Sequence, residues 1–351
     1  MAEELLNLGG SDLHISSGSP PMARVEGNLL RIAGEKPVKT EDLWTMLVAH
    51  LEPRQVETLK ANRSLDLILA LELAGGPRRF RANFFVHRQG LSAVLRLVPE
   101  TPPNLSELGL PRQVERLVRH RQGLVLLTGP SGCGKSTTAA SLVHHLNQTC
   151  SYHIVTLEDP IEYVHRPDRS LINQRQVGLH TRSFAAGLRA ALREMPDVIL
   201  VGELRDIESA ALAVTAAETG HLVLSTMHTS NAVSTIDRLI NSFPAGQKAL
   251  VRTMLADSLR GIVCQHLLPR ADGKGRVAAV EVLVNTPAVA NLIRESRTYQ
   301  IPAVMETGRQ QGMRLMEHSL QELLERGVIS PRTAGRRGFQ KSLFETPLER
   351  F

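Results

Sequence analysis

The sequence predicts an α/β protein: a parallel sheet with helices on its faces, preceded by a smaller α+β domain. Three observations carry this. A proline-rich stretch, "LVPETPPNLSELGLP" (Leu97 to Pro111), divides the chain into two differently patterned parts. After it, short apolar runs alternate with helical patterns, as strands buried on both faces do. Before it, three strand-like runs follow one another with only short turns between them.

The first domain is expected over residues 1–98, the linker over 99–111, the main domain over 112–330 and a basic, flexible tail over 331–351. In the first, "EDLWTMLVAHL" has helical periodicity, and "EPRQVETLKAN" resumes it after a break at Pro53. "LDLILALEL", "RRFRANFFVHR" and "LSAVLRLV" then read as an antiparallel meander joined at "AGGP" and "RQG". Late in the chain, "RVAAVEVLV" reads as a strand. The helix "TPAVANLIRES" follows, capped by Thr286 with Pro287 in its first turn. The helix in "GMRLMEHSLQELLERG" closes on Gly327.

Composition narrows the function. The 351-residue chain carries a net charge of +6, which raises a nucleic-acid reading. Aromatic residues are only 3% of it, too few for a base-stacking platform, so the arginines read as solvated or interfacial and no nucleic acid is expected. The three scattered cysteines form no C-x-x-C pair, which argues against a disulfide framework or a zinc site. No apolar run is long enough to span a bilayer and no signal peptide is visible, so a cytoplasmic protein is expected.

The strongest signal is "GLVLLTGPSGCGKSTTAASLV". A strand, Leu124 to Thr128, leads into G-x-x-x-x-G-K-S and then a helix. Gly129, Pro130, Ser131, Gly132, Cys133 and Gly134 form a loop whose N–H groups, with the helix N-terminus, face anionic oxygens. Lys135 neutralises the β- and γ-phosphates, the Ser136 hydroxyl ligates Mg²⁺, and Thr137 completes the motif. The cofactors expected are therefore ATP and Mg²⁺. Cys133 is a small residue that fits the loop; a thiol activated by the helix N-terminus is the other reading.

Two further strands end in acids. "HIVTLEDPIEYVH" places Glu158, Asp159 and Glu162 at or just past a strand end, where ligands bind in open α/β sheets. Asp159 is the candidate metal ligand and the two glutamates are candidates for catalysis; a solvated turn at Asp159-Pro160 is the plainer alternative. In "DVILVGELRD" the strand Val198 to Val201 ends in Gly202-Glu203, where many ATPases carry Asp-Glu. Glu203 is the candidate base for an attacking water, expected on a strand beside the phosphate strand. Asp197, Arg205 and Asp206 read as structural. "HLVLSTMHTS" ends in Ser225, Thr226, His228 and Thr229, of which His228 is the candidate γ-phosphate contact.

"GPSGCGKST", "TLEDPIEY", "DVILVGELRD" and "AAETGHLVLSTMHT", in this order and spacing, resemble the secretion and type IV pilus motor ATPases, most closely the PilT-like retraction ATPases. The resemblance runs from "GGSDLHIS" to "QGMRLMEHSLQELLERGVIS". It implies a RecA-like P-loop core, a PAS-like first domain and a homohexameric ring. It also implies Glu203 as catalytic glutamate, Glu158, Asp159 and Glu162 as an acidic box near metal or water, His228 as γ-phosphate sensor, and Arg81 and Arg96 as arginines that reach the nucleotide. The implied function is pilus retraction against an inner-membrane platform protein, with a paralogous retraction ATPase as a further partner. The chain departs from the family pattern at Met195, commonly Asp, and Ala290, commonly Arg. An accessory paralogue and a RecA-like nucleic-acid motor are the alternatives.

Overall fold

The computed structural model describes residues 1–25, 27–98 and 101–335. They form two compact units. The first is Met1–Thr101 with Pro160–Val164; the second is Pro102–Asp159 and the chain from His165 onward.

The first unit begins with a short helix α1 (Ala2–Asn7). Six strands follow: β1 (Asp12–Ser16), β2 (Met22–Val25), β3 (Asn28–Arg31), β4 (Ser64–Leu73), β5 (Gly76–His87) and β6 (Gly90–Val98). Their order is β3-β2-β1-β6-β5-β4, every pairing antiparallel. The meander β4–β6 matches the sequence expectation; β1 to β3 were not read from the pattern. Helices α2 (Thr40–Val48) and α3 (Pro53–Asn62) complete the unit. A reciprocal capping box between Glu52 and Gln55, with Pro53 in the first turn, starts α3 where the pattern broke. Side chains alternate along the strands. Leu13, Ile15, Phe80, Phe84, Leu91 and Leu95 point into a core closed by Leu43 and Leu47 of α2 and Leu59 of α3. Asp12, Arg81, Asn83 and Arg96 take the intervening positions.

The second unit opens with α4 (Arg112–Leu117). Its sheet comprises β7 (Gly123–Thr128), β8 (His153–Glu158), β9 (Leu171–Gln176), β10 (Val198–Val201), β11 (Leu222–Met227), β12 (Leu259–Pro269) and β13 (Arg276–Val284). The order is β13-β12-β7-β11-β10-β8-β9; all neighbours are parallel except β13, which returns antiparallel from β12. Between the strands run α5 (Lys135–Thr149), α6 (Phe184–Ala191), α7 (Ile207–Glu218), α8 (Ala232–Asn241) and α9 (Lys248–Ser258). Every residue of β7, β10 and β11 is buried. The period of two divides them between two cores. Leu124, Leu126, Ile199, Val201 and Val223 join α6, α7 and α9 on one face. Val125, Leu127, Val198, Leu200 and Leu224 meet Leu142, Val143 and Leu146 of α5 on the other. Each fully buried Leu or Val contributes about 1.5–3 kcal/mol.

This topology corrects one expectation. The strand that leads to Glu203, β10, lies between β11 and β8 and does not touch the phosphate strand β7. The α5 crossover carries the chain from β7 past two strand positions before β8 is laid down, so sequence neighbours are not sheet neighbours. The neighbours of β7 are β11 and β12.

The chain ends in α10 (Pro287–Arg294), α11 (Ile301–Thr307), α12 (Met316–Glu325) and α13 (Pro331–Gly335). Thr286 caps α10 as expected. The tail expected from 331 starts with a short helix. Residues 331–335 are helical, because Ala334 and Ile329 pack on Leu320 and Leu323 of α12. Residues 336–351 lie outside the described residues. Among the described residues no helix is long and apolar enough to cross a membrane.

Candidate active site at the strand ends

The loop after β7 is shaped by backbone that only glycine tolerates. Gly129 has φ +137°, and a Cβ there would sit 2.3 Å from the Gln265 carbonyl oxygen and 2.7 Å from Cys133 Sγ. Gly134, at φ +93°, turns the chain into α5. Cys133 is buried beneath the loop, consistent with a space-filling residue and not with an accessible reactive thiol. Lys135 is only 7% exposed. Its ammonium donates to the carbonyls of Gly129 (2.8 Å) and Pro130 (3.0 Å). Ser136 is exposed in the first turn of α5.

The next strand, β11, ends beside this loop, and His228 follows it directly. Lys135 Nζ approaches His228 Nδ1 at 3.4 Å, and His228 Nε2 lies 3.2 Å from Glu203 Oε1. One neutral tautomer serves both contacts: Nδ1 accepts from Lys135 and Nε2–H donates to Glu203. The other Glu203 oxygen accepts from Arg205 Nε at 2.8 Å. Arg205 Nη1 stands 3.7 Å from Asp159 Oδ2. Its hydrogen bond to Glu203, with further help from the Asp159 charge, raises the Arg205 pKa despite partial burial. A continuous line of alternating charge and hydrogen bonding thus runs Lys135–His228–Glu203–Arg205–Asp159 across the carboxyl ends of β7, β11, β10 and β8.

The other polar groups at these ends hold the strands. Ser225 and Thr226 donate to the carbonyls of Val201 (2.7 Å) and Gly202 (2.6 Å), fixing β11 against the end of β10. Thr229 bonds Thr235 in α8. Of the four polar groups anticipated at the end of β11, only His228 makes contact with Lys135 and Glu203. Asp197 accepts from the His153 N–H, and Asp206 caps α7, both structural as expected. Arg205 was read as structural from its place before a helix. Its place two residues after Glu203, in the segment that leaves β10, is the signal that could have found it. Gly202 has an ordinary φ but little room, since a Cβ would lie 3.1 Å from the Leu157 carbonyl.

Glu158 sits partly buried at the end of β8, its Oε1 accepting from Thr156 Oγ1 (2.6 Å) and Gln174 Nε2 (3.0 Å). No group of three or more His, Cys, Asp or Glu among the described residues could hold a metal alone.

Arg81, Arg96 and Glu162 belong to the first unit. Arg81 on β5 and Arg96 on β6 are directly opposite each other. Like charges so placed repel, and each has an acid. Arg81 bonds Glu162 at 3.1 Å and Arg96 bonds Asp12 at 2.7 Å. Arg79 donates to the Ile161 carbonyl at 3.1 Å. Burial pushes the Asp12 carboxyl up, but the Ser11 hydroxyl and Arg96 together outweigh it and hold its pKa below the ordinary aspartate value.

Comparison with known proteins agrees with this arrangement. The family model for the type II/IV secretion system protein matches residues 1–324. A twitching motility protein of Neisseria gonorrhoeae is 46% identical over 317 residues, 90% of this chain and 84% of the relative. The type IV pilus retraction ATPase PilT of Pseudomonas aeruginosa is 43% identical over 326 residues, 93% of each chain. The crystal structure of the pilus retraction motor PilT with bound ADP is similar at a TM-score of 0.88 and 41% identity, covering 97% of both chains. With its phosphate loop, acid-ended strands and histidine in one sheet edge, the chain belongs to the type II/IV secretion system protein family.

Proposed function

We propose that this chain is a motor ATPase that couples ATP hydrolysis to retraction of a type IV pilus, acting as a homohexameric ring on a platform protein of the inner membrane. The observation that carries the reading is the contact line from Lys135 through His228 to Glu203, which puts a phosphate-binding cation next to a candidate base. The relatives' names give the physiological direction.

In this reading the amides of Gly129 to Gly134 and the first turn of α5 hold the phosphates, and Lys135 turns from the loop carbonyls to the β- and γ-oxygens. Mg²⁺ bound with ATP supplies charge neutralisation at the β- and γ-phosphates. Ser136 and Asp159 would hold it: a hydroxyl and a single carboxylate are hard oxygen donors, suited to an ion that keeps several waters and the nucleotide's own oxygens. His228 contacts the γ-phosphate while still orienting Glu203. Arg205 and His228 grip the two oxygens of Glu203, so the carboxylate is aimed before water arrives and takes the water's proton as attack proceeds. Glu158 and Glu162 act at the water or metal side. Arg81 and Arg96 reach the nucleotide's phosphates.

Glu203→Gln tests the central assignment. Phosphate release is expected to fall roughly 10²- to 10⁴-fold, the ordinary worth of a general base, while ADP binding by calorimetry stays as in the wild type. Undiminished turnover would remove Glu203 from the base role.

A further inference from the structure

The segment that carries His228 is pinned from behind by groups that touch no nucleotide in the reading above. The first is a buried acid. Glu281 on β13 is 7% exposed. Its Oε1 accepts the N–H of Ala232, the first residue of α8, at 2.7 Å. It also accepts the N–H of Met316, the first residue of α12. One carboxylate thus serves the N-termini of two helices, where orphan N–H groups and the helix dipoles favour negative charge. Burial raises its pKa; the two N–H groups oppose that rise.

The second pin is Cys264, the cross-strand partner of Glu281 on β12. Burial pushes its thiol up to about 12, so it stays protonated, and it donates to the Ser230 carbonyl at 3.0 Å. The third is the Thr229–Thr235 hydroxyl pair at 2.6 Å. Residues 229, 230 and 232 are therefore each fixed by a buried partner within four positions of His228.

We infer that Glu281 is a positioning residue for hydrolysis: by tying α8 to α12 it fixes the 228–232 segment, and so holds His228 between Lys135 and Glu203. This rests on the proposed place of His228 in the ATPase site. It gives a buried charge a purpose that helix capping alone does not explain. A carboxylate under two helix starts is costly to bury, and an apolar residue on this strand would serve the core better.

The experiment is a double-mutant cycle on the full chain with Glu281→Gln and His228→Ala, reading kcat, KM for Mg-ATP, ADP affinity and thermal unfolding. Glu281→Gln keeps the shape but turns an amide N–H₂ toward backbone donors. Its kcat should fall roughly 10- to 100-fold, as loss of precise placement does, with KM and ADP affinity near the wild-type values. In the His228→Ala background the same change should lower kcat by less than about twofold, because a shared route is non-additive. Equal losses in both backgrounds would overturn the proposal, as would an unchanged kcat in Glu281→Gln. An unchanged kcat in His228→Ala would sink the assignment of His228 itself, a result distinct from the other two. Glu281→Asp, which keeps the charge but shortens the reach, should give an intermediate kcat. If neither Glu281 variant folds, the carboxylate holds the domain and not the site, and the proposal fails.

Discussion

The two units place their functional candidates in opposite ways. In the second, the strands β7, β10 and β11 are buried along their whole length, and Lys135, His228, Glu203, Arg205 and Asp159 meet in one line at the strand ends. In the first, only one face of the sheet closes on the helices, and Arg81 and Arg96 sit inside strands, each held by one acid. The difference teaches that a doubly covered sheet announces its site by where its strands stop. A singly covered sheet hides it among alternating residues.

The largest expected effect tests whether the arginines act as the strand-end residues do. Arg81→Ala or Arg96→Ala should lower kcat by roughly 10³-fold, the scale of an arginine that stabilises transition-state charge. Unfolding stability should move by less than about 1 kcal/mol in Arg81→Ala, whose ion pair with Glu162 is solvent-exposed, and by more in Arg96→Ala, which strips the buried Asp12 carboxylate of its nearest arginine. Unaltered kcat in both would leave the two arginines with no role beyond their ion pairs.

The second test concerns the buried histidine of the segment between β8 and β9. His165 is held neutral: burial, with help from His144, lowers its pKa from 6.5 to about 4. Its Nδ1 is buried with no hydrogen-bond partner among the described residues. Between those two values the unfolded chain binds a proton that the folded chain refuses. Stability therefore falls as pH drops from about 6.5 to about 4, by up to roughly 3 kcal/mol. Denaturant unfolding at several pH values should show this slope in the wild type and a flatter one in His165→Asn. Identical slopes would mean that another group sets the acid limb.

Next in size is Gly129→Ala. Forcing a Cβ into that positive-φ position should cost about 1–3 kcal/mol and displace the loop from Gln265. ADP binding should disappear in calorimetry; retained affinity would show that the loop adapts. The smallest effect lies at Met195, which is 87% exposed and left-handed at φ +53°. Met195→Gly should stabilise by about 0.5–1 kcal/mol by removing that strain, with kcat unchanged. No gain in melting temperature would show that the turn relaxes on its own.

Much of this was legible in the sequence. Val198–Val201 was read with the bounds the structure shows, because four consecutive buried apolar residues end abruptly on Gly-Glu. The strand–loop–helix at Gly129 to Ser136 needed only glycine spacing. Thr286 and Asp206 were identifiable as helix starts from local chemistry. What was not legible depends on which strands lie side by side. The separation of β10 from β7, the reach of Arg205 to Asp159 and the grip of Glu281 on two helices are contacts between segments distant in sequence or laid across the sheet. Arg81 and Arg96 fell between these cases: their strands were readable, but only the family resemblance distinguished them from ordinary surface arginines.

The closeness of Gly202 to β8 has a consequence for how this site can be altered. Its N–H bonds the Leu157 carbonyl at 2.8 Å, and the space a side chain would need is bounded by that same carbonyl and by Phe184. A Cβ at Gly202 requires the Leu157 carbonyl to give by a few tenths of an ångström, so an aspartate exchanged into this position presses on the pairing of β10 with β8. The acid that stands beside this backbone is Asp159, in the loop after β8, with its carboxylate 3.7 Å from Arg205.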